Sequence, residues 1–80
     1  MSNWKKVLAQ ILREESDANI RYEDMCRLLI RLGYTARQKG SHIVFRKAGR
    51  DLINLQNASG KIKPYQVRQV REQLRRLYLL

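Results

Sequence analysis

The sequence predicts an α+β sandwich, a three-stranded antiparallel sheet with helices packed on one face, in the order α-α-β-β-β-α. Three observations carry this expectation. Apolar residues recur every three or four positions towards both ends of the chain and every second position in its middle. Glycine-containing turns separate the periodic segments. The 80 residues suffice for one small domain, of a size that buries only about 60% of its unfolded-chain surface.

Each element follows from its own pattern. Trp4, Val7, Leu8, Ile11 and Leu12 share one helical face, with Lys5, Lys6 and Arg13 set off from it, and this helix fades around Glu15-Ser16-Asp17. Met25, Leu28, Leu29 and Leu32 form a second face, Glu23 and Asp24 suit the positive end of its helix, and Gly33 marks its stop. Tyr34 and Ala36 then alternate with Thr35, Arg37 and Lys39. After a turn at Gly40-Ser41, Ile43 and Phe45 alternate with His42, Val44 and Arg46. Ala48-Gly49-Arg50 turns the chain again, and residues 52–56 form a third strand with Ile53 and Leu55 on one side. Residues 57–60 have turn chemistry, and Pro64 suits the first turn of a last helix. Val67, Val70, Leu74 and Leu77 give that helix an apolar stripe, beside which Arg68, Arg71 and Arg75 form a basic, solvated one. Glu72 is spaced to pair with Arg68 and Arg76.

Charge narrows the class of partner. Seventeen Lys and Arg against seven Asp and Glu leave a net charge of +10. The excess is uneven: four basic and five acidic residues precede Arg27, whereas thirteen basic and two acidic residues lie from Arg27 onward. The second part is therefore expected to meet a polyanion, nucleic acid first, because clustered cations release phosphate counterions on binding. So small a chain has no room for a deep cofactor cavity. Its single cysteine, Cys26, reads as a small buried hydrophobe in a reduced, cytoplasmic setting. No apolar run reaches the roughly 18 residues that would span a bilayer, so no membrane partner is expected.

Strand parity separates two faces. Burial of the apolar set turns Tyr34, Ala36, Ile43, Phe45, Ile53 and Leu55 towards the helices. The opposite face then collects Arg37, Lys39, His42, Arg46, Asn54 and Gln56, with Val44 and Leu52 as apolar positions that a partner would cover. The only histidine of the chain thus falls on a basic, hydrogen-bonding sheet face beside a glycine turn. RNA brings its own nucleophile, the 2′-OH, so strand cleavage needs only a proton carrier and cations at the phosphate. An imidazole suits the first role, and Arg37, Lys39 and Arg46 suit the second.

Other chemistries fit less well. One His and one Cys cannot build a zinc site. Gly40-Ser41-His42 lacks the glycine and lysine spacing of a P-loop, and Ser41 reads as turn chemistry rather than as a nucleophile. Glu14-Glu15 and Glu23-Asp24 read as solvated or dipole-complementing acids. Among the tyrosines, Tyr34 is claimed by the core, Tyr22 is a candidate for stacking on a base, and Tyr65, beside Lys61 and Lys63, is a better one.

Leu28-Leu29, Leu32-Gly33-Tyr34, the run Lys39-Gly40-Ser41-His42-Ile43-Val44-Phe45 and a basic turn before the final helix resemble the HicA toxins of bacterial toxin–antitoxin systems. Asn54-Leu55-Gln56 and Lys63-Pro64-Tyr65-Gln66-Val67 resemble a branch of that family with an added N-terminal helix. The resemblance implies a double-stranded-RNA-binding-like fold, ribosome-independent mRNA cleavage, and neutralisation by a HicB-type antitoxin; that the cleavage needs no metal or cofactor is expected from the 2′-OH chemistry above. It divides one domain, residues 1–80, into an additional helix and connection, 1–19, and a core, 20–78. The family histidine maps onto His42, presented by Gly40 and Ser41. The expected site therefore has His42 as general acid or base, and Arg37, Lys39, Gly40, Ser41, Arg46, Lys61, Lys63 and Tyr65 as RNA contacts. Two further readings share the same charge pattern: a non-catalytic RNA-binding module, and an interaction subunit whose basic face meets an acidic protein.

Overall fold

The computed structural model describes residues 4–78, and its element order is the expected one. Helix α1 (Trp4–Leu12), a 3-10 turn (Asp17–Asn19) and helix α2 (Tyr22–Arg31) precede strands β1 (Thr35–Lys39), β2 (His42–Arg46) and β3 (Ile53–Gln56), and helix α3 (Pro64–Tyr78) closes the chain. The strands form one antiparallel sheet in the order β1-β2-β3. Among the described residues no helix is long and apolar enough to cross a membrane.

The core is built where the patterns place it. Ile11, Met25, Leu28, Leu29, Phe45, Leu55, Val67, Val70 and Leu74 are fully buried, so all three helices and the sheet contribute. Trp4, Val7, Leu8 and Leu12 pack against this cluster from α1. The side chain of Leu77, expected on the same stripe, lies outside the described residues. Tyr34 is also buried, and its hydroxyl donates to Gln73 Oε1 at 2.7 Å, which satisfies its one polar atom inside the core.

The Leu32-Gly33-Tyr34 step has a backbone explanation. The Tyr34 N–H donates to Leu29 O and the Gly33 N–H to Ile30 O, with Gly33 at φ 97°. This pair of bonds is a Schellman cap, which needs a left-handed residue and pays back two orphan carbonyls of α2. Lys47 completes the end by donating from Nζ to Leu32 O at 2.7 Å, a cation at the negative pole of the helix. The chain therefore leaves α2 directly into β1.

Four expectations need correction. Ala36 shares the helix-facing side of the sheet with its register partner Phe45, yet it is exposed, as is all of β1. β1 is an edge strand beyond the cover of the helices, and parity fixes direction without supplying a lid. Arg71 and Arg75 are not a solvated stripe. Arg71 is 4% exposed, donates from Nε to Ile11 O at 2.7 Å and pairs with Asp17. Arg75 pairs with Glu14 at 2.8 Å, so Glu14 is no free surface acid. Glu72 forms no ion pair among the described residues, and Arg76 instead approaches Asp51 at 3.9 Å. These contacts clamp the N-terminal segment to α3. Within this segment Glu14 and Ser16 lie in the left-handed region, at φ 59° and 52°, a conformation that costs about 1–2 kcal/mol per L-residue.

Candidate functional site

The site is assembled by the β1–β2 hairpin. Its loop has two residues, Gly40 and Ser41, and the positive φ falls on Gly40 (60°) alone, the arrangement of a II′ turn that takes glycine first. Gln38 braces the turn by donating from Nε2 to Gly40 O at 2.7 Å. A two-residue loop leaves no slack, so Lys39 and His42 face each other at its base.

Register then places the side chains of the outer face in rows. Lys39, His42 and Gln56 lie opposite one another across the three strands, and Arg37, Val44 and Asn54 form the next row. Thr35 and Arg46 form a third row across two strands. The pair that closes a two-residue hairpin is the hydrogen-bonded one, so His42 and Gln56 are the non-hydrogen-bonded pair, with Cα atoms about 4.5 Å apart and side chains closely adjacent. His42 is half-buried, while Arg37, Lys39, Arg46, Asn54 and Gln56 are exposed. The strands carry every predicted residue of the outer face except Leu52, which precedes β3 and is exposed.

Its charge is uncompensated. None of the seven carboxylates lies on a strand. Glu14, Asp17, Glu23 and Asp51 pair with arginines outside the sheet. Among the described residues no ion pair involves Arg37, Lys39 or Arg46, and no hydrogen bond involves the His42 side chain. Three cations and one imidazole therefore keep their donors uncommitted among the described residues, which suits a phosphate group. No three His, Cys, Asp or Glu side chains gather to hold a metal ion among the described residues.

Across residues 22–75, about two thirds of the chain, the sequence matches the family model described as the HicA toxin of bacterial toxin–antitoxin systems. The chain belongs to the HicA toxin family. Membership implies a cognate antitoxin as partner. No curated protein and no solved structure matches the chain. The matched segment runs from α2 into α3 and contains the whole sheet face, whereas α1 and the 3-10 turn precede it.

The remaining expected residues of this HicA-family chain sit elsewhere. Lys61 lies on the connection between β3 and α3, bridged to Arg21 and Ala58, with its Nζ 3.4 Å from Asn19 Oδ1. Lys63 and Tyr65 are exposed at the start of α3, Tyr65 at 55%. No hydrogen bond or ion pair among the described residues joins these three to the row of His42. Tyr22 is partly buried beside Cys26, and burial pushes the ionisation of both groups up; the thiol, expected as a buried hydrophobe, is half-buried. The sequence reading missed Gln38. A glutamine two residues before a Gly-Ser loop is its only signal.

Proposed function

We propose that the protein is a toxin-type endoribonuclease that cuts mRNA without a metal, and that a HicB-type antitoxin silences it by covering the outer sheet face. The observation that carries this reading is the row Lys39–His42–Gln56 on a cationic face free of carboxylates. His42 accepts the proton of the substrate 2′-OH or returns one to the leaving 5′-oxygen. The 2′-oxygen attacks the adjacent phosphorus and the P–O5′ bond breaks, leaving a 2′,3′-cyclic phosphate. Lys39, opposite His42 in the register, binds the phosphate oxygens as negative charge builds in the transition state. Gln56, beside the imidazole, offers an amide to orient its ring. The donor set supports a metal-free route, since the single histidine has no ligating neighbours on its face. DNA lacks the nucleophile and is not a substrate.

The test is to incubate wild-type and His42→Ala protein with end-labelled mRNA, with and without EDTA, and to analyse fragment ends. Wild type is expected to give cyclic or 3′-phosphate ends at the same rate with EDTA. His42→Ala should cut about 10²- to 10⁴-fold more slowly, the usual contribution of general acid–base catalysis, with an unchanged melting temperature. Undiminished cutting by folded His42→Ala protein would refute the role of His42, and loss of cutting in EDTA would refute the metal-free route. Salt-sensitive binding of RNA that stays intact would replace the enzyme by a binding module.

A further inference from the structure

Around Lys39 and Val44 the sheet is not flat: a depression of about 280 Å³ opens on β1 and β2, lined by Thr35, Arg37, Lys39, Val44 and Arg46 of the outer face and, at the edge strand, by Ala36. Its walls are three cationic side chains, and Val44, half-buried, supplies an apolar floor. We infer that this depression is a subsite for one unpaired nucleotide of the RNA, next to the phosphate held at His42. Its base lies against Val44 and its phosphate between Arg37 and Arg46. The inference rests on the ribonuclease reading and adds to it the form of the substrate, single-stranded RNA.

Spacing, size and chemistry agree on this occupant. His42, Val44 and Arg46 alternate on one strand, so Val44 stands about 6.6 Å from His42 and Arg46 about 13 Å. The row at Val44 is thus one side-chain step from the reacting phosphate. The volume lies just below the roughly 300–1,000 Å³ of small-molecule sites, enough for a single nucleotide and too little for a helix. A phosphate alone, or a partner's carboxylate, would satisfy the cations and gain nothing from Val44. A base has an apolar face for the floor and polar edges for Asn54, which lies opposite Val44 in the register and is exposed. In an A-form duplex the bases are stacked inside and cannot lie flat on a sheet; only an unstacked base reaches the floor.

Binding of uncleavable 2′-fluoro oligonucleotides tests the subsite independently of catalysis. Fluorescence anisotropy with the full-length protein compares a single strand, the same sequence as a duplex, and an abasic strand with the same phosphates. The single strand is expected to bind at least about tenfold more tightly than either, and tenfold corresponds to about 1.4 kcal/mol. Val44→Ser should erase most of that preference while abasic binding stays, and Arg46→Ala should weaken all three probes together. Equal binding of single strand and duplex, or an unchanged ranking with Val44→Ser, would overturn the subsite. Binding of a polyglutamate peptide more tightly than any RNA probe would overturn it too, in favour of a protein-docking face. A clear single-strand preference without cleavage of natural RNA supports the subsite and rejects the ribonuclease. Cleavage dependent on His42 without that preference does the reverse.

Discussion

Replacing Asp17 by Asn tests how the N-terminal segment is held to the matched family region. In the ion pair of Arg71 with Asp17 the two side chains are 5% and 23% exposed, and the guanidinium has one further partner, Ile11 O. Asp17→Asn keeps the shape and removes the charge, leaving a buried cation with carbonyl and amide partners only. Breaking a buried pair in this way costs about 3–5 kcal/mol, and the partial exposure of Asp17 lowers the expectation to about 2–3 kcal/mol. An 80-residue chain has about 4–12 kcal/mol of total stability, so the loss is a large fraction of it. At about 4–8 °C per kcal/mol for this size, the melting temperature should fall by about 10–20 °C. Urea and thermal unfolding followed by circular dichroism provide the assay. Arg71→Met removes the stranded cation, and the double variant should show a coupling of about 2 kcal/mol in a double-mutant cycle. Glu23→Gln is the surface control: its pair with Arg27, at 3.7 Å, is solvent-exposed and worth less than about 0.5 kcal/mol. A shift for Asp17→Asn no larger than for Glu23→Gln would refute the clamp. Below the transition, RNA cleavage should be retained, because the hydrogen bonds and ion pair of Arg71 go to Ile11 and Asp17 and not to the row of His42.

Two further outcomes follow from the same geometry. Gly33→Ala should lower stability by about 2 kcal/mol in urea unfolding, because an L-residue at φ 97° is strained and the new Cβ would stand 2.7 Å from Lys47 Nζ, displacing it from Leu32 O; a change under about 0.5 kcal/mol would reject the cap. The Arg75 hydrogen bond first, then the charges of Arg71 and Arg75, hold the Glu14 carboxyl below its ordinary value of 4.5. A lowered folded-state value stabilises above the unfolded one and is lost as pH falls through it, so Glu14→Gln should flatten the acid limb of a melting-temperature profile taken from about pH 6 down to about pH 3. An unchanged acid limb would mean that the Glu14 contact adds nothing to stability.

What could be read from the sequence was set by period, and what could not was set by distance along the chain. The two sheet faces follow from alternation alone, and the row of Lys39, His42 and Gln56 follows once Gly40-Ser41 is recognised as a two-residue loop that fixes the register. Arg71 was not legible. Its neighbours on α3 make it read as one charge among a solvated series, and the groups that bury it, Ile11 and Asp17, are 60 and 54 residues away. Ala36 shows the complementary limit: its direction was legible, but whether a helix lies above it depends on where α2 ends and how far the helices extend across the sheet. The depression around Lys39 and Val44 was hidden for a third reason. Val44 carries no chemistry, and only the cations standing around it make it a floor.

The charge on β1 serves two ends that would be hard to separate by mutation. β1 is a sheet edge with both faces exposed, and such an edge invites pairing with another chain. Arg37 and Lys39 oppose this: two copies of β1 paired antiparallel about Arg37 would bring these cations together with no carboxylate on either strand to offset them. The same absence of carboxylates leaves both side chains open to phosphate on the outer face. Neutralising them is therefore expected to weaken RNA binding and, at the same time, to expose a strand edge able to self-associate. For that reason Val44 and Arg46, on the central strand and away from the edge, are the cleaner positions from which to dissect recognition.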